Sequence, residues 1–122
     1  MAVLLAVNAR DYPAGTQTTP VAAIPAGIET VRIGLSREAW PDTGGDVISA
    51  MVDLSLDGGV TWRSDFFGFT TAGGNLIGRS GAPVLISWTQ MPIPESANAN
   101  RQARARVTLT VPLRTAVTIE GF

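Results

Sequence analysis

The segment Ser55–Trp62 limits the folds open to this chain more than any other part of the sequence. It reads Ser-Leu-Asp-Gly-Gly-Val-Thr-Trp and joins two runs in which apolar and polar residues alternate. The Asp-Gly pair supplies the positive φ angles that a two-residue hairpin turn requires, and the Asp57 carboxylate can accept hydrogen bonds from turn amides. The sequence therefore predicts a β-hairpin in which Val60–Phe69 pairs with Ile48–Leu56.

Alternation with a period of two residues recurs along the chain, and no stretch combines helical periodicity with helix-forming composition. Val31, Ile33 and Leu35, for example, share one face of a strand over Thr30–Ser36. The other predicted strands are the N-terminal segment, Val21–Ile24, Ile48–Leu56, Val60–Phe69, Val84–Thr89, Arg101–Val111 and Ala116–Glu120. About eight strands with this spacing predict an all-β fold, a two-sheet antiparallel sandwich resembling a jelly roll.

Three local features qualify this pattern. The apolar run Ala2–Val7 has no preceding basic residue, so we expect a first strand and not a signal peptide. Residues 12–27 hold three prolines and two glycines, which predicts an extended arm or a partly irregular segment. The pair Phe66-Phe67 interrupts the alternation and indicates a bulge or two buried faces. With no repeat or linker, residues 1–122 are predicted to form a single domain.

The composition narrows the classes of function. The chain has 122 residues with 45% hydrophobic and 16% charged residues, so it can form a core. It lacks histidine and cysteine, and all nine basic residues are arginine, so the usual general bases and thiolate chemistry are absent. A net charge of −1 argues against nonspecific binding to nucleic acid or to a membrane. We therefore expect no catalytic residues, no cofactor and no metal.

Carboxylates are the remaining candidates for chemistry. A pair of them could hydrolyse glycosides, and Asp53, Asp57, Asp65 and Glu95 are the candidates. Asp57 is already explained by its turn, so we expect no enzyme. The loop from Asp42 to Asp46 is weakly suggestive of calcium binding, but a solvated turn is favoured because ligand density is low.

Tryptophans and arginines are the candidates for binding a partner. Trp88 is in phase with Val84 and Ile86, and Trp62 with Val60, so both are predicted to pack inside. Trp40 lies in a loop, and the arginines at 104 and 106 lie on the polar face of one strand. The candidate partner-contact residues are Tyr12, Trp40, Asp42, Arg104 and Arg106.

The octapeptide Ser-x-Asp-x-Gly-x-Thr-Trp resembles the Asp-box, a hairpin motif of sialidase-type β-propellers. It occurs once here, and the chain is too short for a propeller, so the resemblance implies only a structural turn. The residues implied to hold that hairpin are Ser55, Asp57, Gly58, Gly59, Thr61 and Trp62.

The chain as a whole, with its Arg-Glu-Ala-Trp-Pro loop, resembles small β-sandwich proteins of tailed bacteriophage virions, including capsid cement or decoration proteins and minor tail components. This resemblance implies a structural protein located in the virion, without a cofactor. Its implied partners are major capsid or tail protein subunits, contacted by a homo-oligomer or by many copies. The alternative is a carbohydrate-binding module or a receptor-binding fragment, in which Trp40 meets a glycan.

Overall fold

The computed structural model describes residues 1–37, 47–72, 84–94, 100–110 and 112–122. This part of the chain holds nine β-strands and no helix, so it contains no helix that could cross a bilayer. The strands are β1 (Ala2–Tyr12), β2 (Gly15–Thr18), β3 (Ala22–Ile24), β4 (Thr30–Arg37), β5 (Val47–Ser55), β6 (Arg63–Ala72), β7 (Val84–Pro92), β8 (Arg101–Leu109) and β9 (Leu113–Gly121).

The strands form two antiparallel sheets. Sheet A has the order β1-β9-β4-β7, and sheet B has the order β2-β8-β5-β6, with β3 also pairing with β8. If β2 and β3 are taken as one interrupted edge strand, eight strand positions result. Apart from the β5–β6 hairpin, successive strands then lie in opposite sheets, as in a jelly roll. The predicted all-β, jelly-roll-like antiparallel sandwich is confirmed.

The core lies between the sheets because each strand turns alternate side chains inward. Ile33, Val117 and Ile119 of sheet A and Val52 and Val107 of sheet B are at most 1% exposed. These β-branched residues suit a pleated surface that is buried on one side. The outward positions between them are therefore the ones that can meet solvent or a partner.

The segment 12–27, predicted as an extended arm or a partly irregular segment, combines two short edge strands with an irregular stretch. Its two short strands, β2 and β3, pair with β8 at the edge of sheet B. The chain is irregular between them, where the backbone N–H of Thr19 donates to the Ala105 carbonyl oxygen over 2.8 Å. The Thr19 hydroxyl in turn accepts from the backbone N–H of Ala105 over 2.9 Å. These two bonds take the place of regular strand-to-strand hydrogen bonds between β2 and β3, and they hold the segment against β8.

The β5–β6 hairpin differs from the predicted two-residue turn. Strand β6 begins at Arg63, so the connection spans residues 56–62. A register shift follows, because Leu54 pairs with Arg63 but Val52 pairs with Phe67, so three residues of β6 oppose Asp53. Asp65, within this shift, has a φ of 55°. The bulge predicted near Phe66-Phe67 is therefore present.

Candidate functional site

The turn after β5 is held by its own polar groups. The Ser55 hydroxyl donates to Asp57 Oδ1 over 2.8 Å and accepts from the backbone N–H of Gly59 over 2.8 Å. The backbone N–H of Thr61 donates to the same Asp57 oxygen over 2.8 Å. Gly58 and Gly59 have φ angles of 74° and 91°, which favour glycine. The bonds from the Thr61 amide and the Ser55 hydroxyl lower the pKa of Asp57.

This turn is also tied to the neighbouring strand. The backbone N–H of Gly58 donates to the Asn100 carbonyl oxygen over 2.8 Å, directly before β8. The polar groups of the turn thus form hydrogen bonds within the molecule, so the Asp-box-like segment has a structural role.

An ionic cluster covers the outer face of sheet B; we call Asp53, Asp65, Arg104 and Arg106 the Asp53 cluster. Asp53 is 0% exposed and accepts from Arg104 Nε over 3.1 Å, from Arg106 Nη2 over 2.9 Å and from the backbone N–H of Asp65 over 3.0 Å. Arg106 also pairs with the Asp65 carboxylate. Two carboxylates and two guanidinium groups therefore neutralise one another.

The cluster perturbs the titration of its members. Burial alone would raise the pKa of Asp53, but hydrogen bonds from Arg106, the Asp65 amide and Arg104 outweigh it and lower that pKa. The bond to Asp53 raises the pKa of Arg106. Asp53 is consequently a permanent anion at neutral pH, inaccessible to a substrate.

The other candidate residues fall in different places. Arg104 and Arg106 keep 29% and 30% side-chain exposure, but their charges are used within the Asp53 cluster. Tyr12 is 2% exposed and belongs to the core, with the Arg10 guanidinium carbon 4.4 Å from its ring centroid, so its assignment as a partner contact was wrong. Trp40 and Asp42 lie outside the described residues, as do Asp46 and Glu95.

The described part of the chain brings together no group of three or more carboxylates that could hold a metal ion.

Trp62 and Trp88 lie on the outer surface and not in the core as predicted. The Arg104 guanidinium carbon is 4.2 Å from the centroid of the partly buried Trp62 ring, and Trp88 is 50% exposed. For Trp88 the reason is a register shift: Leu35 pairs with Ser87, but Ser36 pairs with Leu85, which leaves one extra residue in β7. An extra residue reverses which side of the sheet later side chains occupy.

Trp88 belongs to a surface that we call the sheet A face, consisting of Val3, Ala6, Arg32, Gly34, Trp88, Gln90, Thr118, Glu120 and Phe122. The Arg32 guanidinium carbon lies 4.5 Å from the Trp88 ring centroid and 4.6 Å from that of Phe122. Its Nη2 and Nε donate to Gln90 Oε1 over 2.9 and 3.2 Å. Two rings and an amide therefore hold one cation in a fixed position.

This face also carries exposed apolar side chains. Val3 is 60% exposed and Phe122 is 40% exposed, in addition to Trp88. Sequence reasoning missed the face because the alternation placed Trp88 inside. Gly34 lies between the inward Ile33 and Leu35, so its pairing with Trp88 places the tryptophan outward, but strand register is needed to see this.

No protein-family model matches the chain, and no curated protein matches it. Among solved structures, it is similar to the structure of TmCBM61 in complex with β-1,4-galactotriose, with a TM-score of 0.36 and 13% sequence identity. The likeness covers 92% of the present chain and 66% of that chain. A likeness at this TM-score does not indicate what the present chain binds.

Proposed function

We propose that the protein is a non-enzymatic structural component of a virus particle that attaches to protein subunits through the sheet A face. The observation that carries the proposal is the group of Trp88, Arg32 and Phe122 on the outer side of sheet A. Tryptophan and arginine are the residue types that most often dominate binding energy at protein interfaces. A decoration or cement protein needs such a surface, because it works by complementarity with its neighbours.

The energetics of this group favour docking. Covering the exposed half of Trp88 removes about 100 Å² from water, which is worth about 2.5 kcal/mol before association costs. Arg32 is already held by Trp88, Phe122 and Gln90, so it loses little side-chain freedom on binding.

Two of the four carboxylates that could serve catalysis, Asp53 and Asp57, support a non-enzymatic role. Asp53 is buried beneath two arginines, and Asp57 accepts hydrogen bonds within its turn. A general acid or base must reach the substrate and exchange a proton near the operating pH. Neither residue meets that requirement in this structure.

The test is the amount of protein on purified particles. We expect Trp88→Ala to reduce the number of copies per particle at least about tenfold, because it removes the largest exposed anchor. Val60→Ala is the control, since Val60 is 84% exposed at the distant hairpin turn and should leave occupancy unchanged. Quantitative mass spectrometry measures both. Absence of the wild-type protein from intact particles would refute the proposal.

A second function, carbohydrate binding, is favoured by one observation. Trp88 is half exposed and lies beside Gln90 and Arg32, so an aromatic surface adjoins hydrogen-bond donors. Such a site could stack the apolar face of a sugar ring. A saturable change in tryptophan fluorescence with one oligosaccharide of a panel, lost in Trp88→Ala, would support this function over docking on protein. No response across neutral and acidic glycans would exclude it.

A further inference from the structure

The sheet A face carries two charges that the fold leaves unpaired. Arg32 on β4 and Glu120 on β9 oppose each other in the register, and both point outward between buried neighbours. The Arg32 guanidinium lies between Trp88 and Gln90 of β7 on one side and Phe122, which follows β9, on the other. Among the described residues, neither Arg32 nor Glu120 has an ion-pair partner.

The Asp53 cluster shows how the other sheet differs. There, both outward arginines are neutralised by Asp53 and Asp65 of the same chain. The sheet A face instead presents one cation and one anion side by side on its two central strands. A surface of this kind is complementary to itself, because rotation by 180° places each charge over its opposite.

From this arrangement we propose that two copies of the chain stack through their sheet A faces. They are related by a twofold axis that lies in the plane of contact, parallel to the strands and midway between β4 and β9. The inference rests on the proposed function, because it identifies a second copy of this chain as the protein subunit that the face contacts on the particle. Each Arg32 then meets Glu120 of the second copy, and the contact occurs twice. Two sheets packed with aligned strands are a common arrangement in β-sandwiches.

The rows of residues across the sheet fit this stacking. One row runs Ala6, Thr118, Gly34, Trp88 from β1 to β7. The twofold axis places β7 of one copy over β1 of the other, so the large Trp88 side chain meets the small Ala6. Gly34 and Thr118 between them leave room for the faces to approach.

The second row gives the charged contacts. It runs Val3, Glu120, Arg32, Gln90 from β1 to β7. The same axis places Arg32 over Glu120 of the second copy and Gln90 over Val3 of the second copy. Both rows are thus matched by one operation, large against small and cation against anion.

The size of the face sets the strength of the dimer. Four strands about 4.8 Å apart and about seven residues long cover roughly 450 Å² in each copy. The total of roughly 900 Å² lies in the range of weak interfaces, so we expect association that depends on concentration.

Sedimentation velocity of the full chain, from about 5 µM to about 500 µM, tests the inference. The wild type should pass from monomer to dimer. Arg32→Glu and Glu120→Arg should each raise the dissociation constant at least about tenfold, because each places like charges together twice. The double variant Arg32→Glu/Glu120→Arg restores opposite charges and should dimerise like the wild type.

Two further variants serve as controls. Arg63→Glu makes the same charge change on an exposed residue of sheet B and should leave the dissociation constant unchanged. Thr118→Trp places bulk at the centre of the sheet A face and should separate the copies without altering a charge. Far-UV circular dichroism and thermal unfolding establish that each variant is folded.

Two outcomes would overturn the inference: a wild type that stays monomeric throughout, or a folded double variant that does not recover. If the wild type is monomeric while particle occupancy still depends on Trp88, the proposed function stands and the twofold contact does not. If the dimer forms but is never found on particles, the twofold contact stands and the proposed function does not.

Discussion

Asp53 illustrates how single residues determine the stability of sheet B. Its carboxylate is fully buried on what the alternation marks as a polar face, and it accepts from Arg104, Arg106 and the Asp65 amide. A buried anion is tolerated only when its partners are in place, so removing its charge leaves two arginines with less compensation.

We expect Asp53→Asn to lower the free energy of unfolding at pH 7 by about 2–4 kcal/mol. This loss is at the lower end of those caused by breaking a buried ion pair, because both arginines are partly exposed. Urea unfolding measures this value. Asp65→Asn is the control, with an expected loss of at most about 1 kcal/mol, because the Asp65 side chain is 61% exposed. Equal losses in both variants would contradict the dominant part given to Asp53.

The pH dependence of stability follows from the lowered pKa of Asp53. A carboxylate whose pKa is lower in the folded state contributes stability above its unfolded pKa of about 3.9 and loses it as pH falls through the folded value. Wild-type stability should therefore fall on acidification below about pH 4. Asp53→Asn should show a shallower fall in urea titrations over the same range, and an unchanged slope would refute this assignment.

At the scale of secondary-structure elements, Arg101 connects parts of the chain that are distant in sequence. It is the first residue of β8, and its side chain contacts two neighbouring segments. It is 3% exposed, and its Nη1 donates to the Ile28 carbonyl oxygen over 2.8 Å while Nη2 donates to that of Pro25 over 2.9 Å. Nη1 also lies 3.3 Å from the Pro94 carbonyl oxygen. The planar guanidinium can satisfy several acceptors at once, which the ammonium of lysine does less well.

We expect Arg101→Ala to lower the free energy of unfolding by about 2–4 kcal/mol, because partly buried carbonyl oxygens lose their donor and the buried side chain leaves a gap. Arg63→Ala, at an exposed position of β6, should change it by at most about 0.5 kcal/mol. Chemical denaturation compares the two variants. Hydrogen exchange should also show that the backbone N–H of Ile28 is less protected in Arg101→Ala. An unchanged exchange rate of this amide would contradict the stabilising role given to the Arg101 hydrogen bonds.

At the scale of the whole molecule, the two sheets share one core but present different outer faces. Sheet B neutralises its outward arginines within the chain, whereas sheet A exposes Trp88 beside the unpaired Arg32 and Glu120. Exposed apolar side chains, and charged groups without an ion-pair partner in the same chain, are available for association with another molecule. This difference is the basis for assigning assembly to sheet A.

Because the inward side chains of both sheets form one cluster, we expect residues 1–122 to unfold as a single cooperative unit. Urea transitions followed by tryptophan fluorescence and by far-UV circular dichroism should coincide, at a concentration where the chain is monomeric. Trp62 directly precedes β6 of sheet B and Trp88 lies within β7 of sheet A, so fluorescence reports on both sheets. Separate transitions would indicate two independently folding parts.

The sequence by itself determined most of the strands and the sandwich, because alternation and turn chemistry are local properties of the chain. Thr30–Ser36, Ile48–Leu56 and the Asp57 turn were predicted from patterns of fewer than about ten residues. The tertiary structure decided the surface. An extra residue in β7 turns Trp88 outward, and Tyr12 is buried in the core. Pairing with β8 forms edge strands in the segment predicted as an extended arm or a partly irregular segment. Register and sheet partners depend on contacts between distant residues, and a local pattern does not contain them.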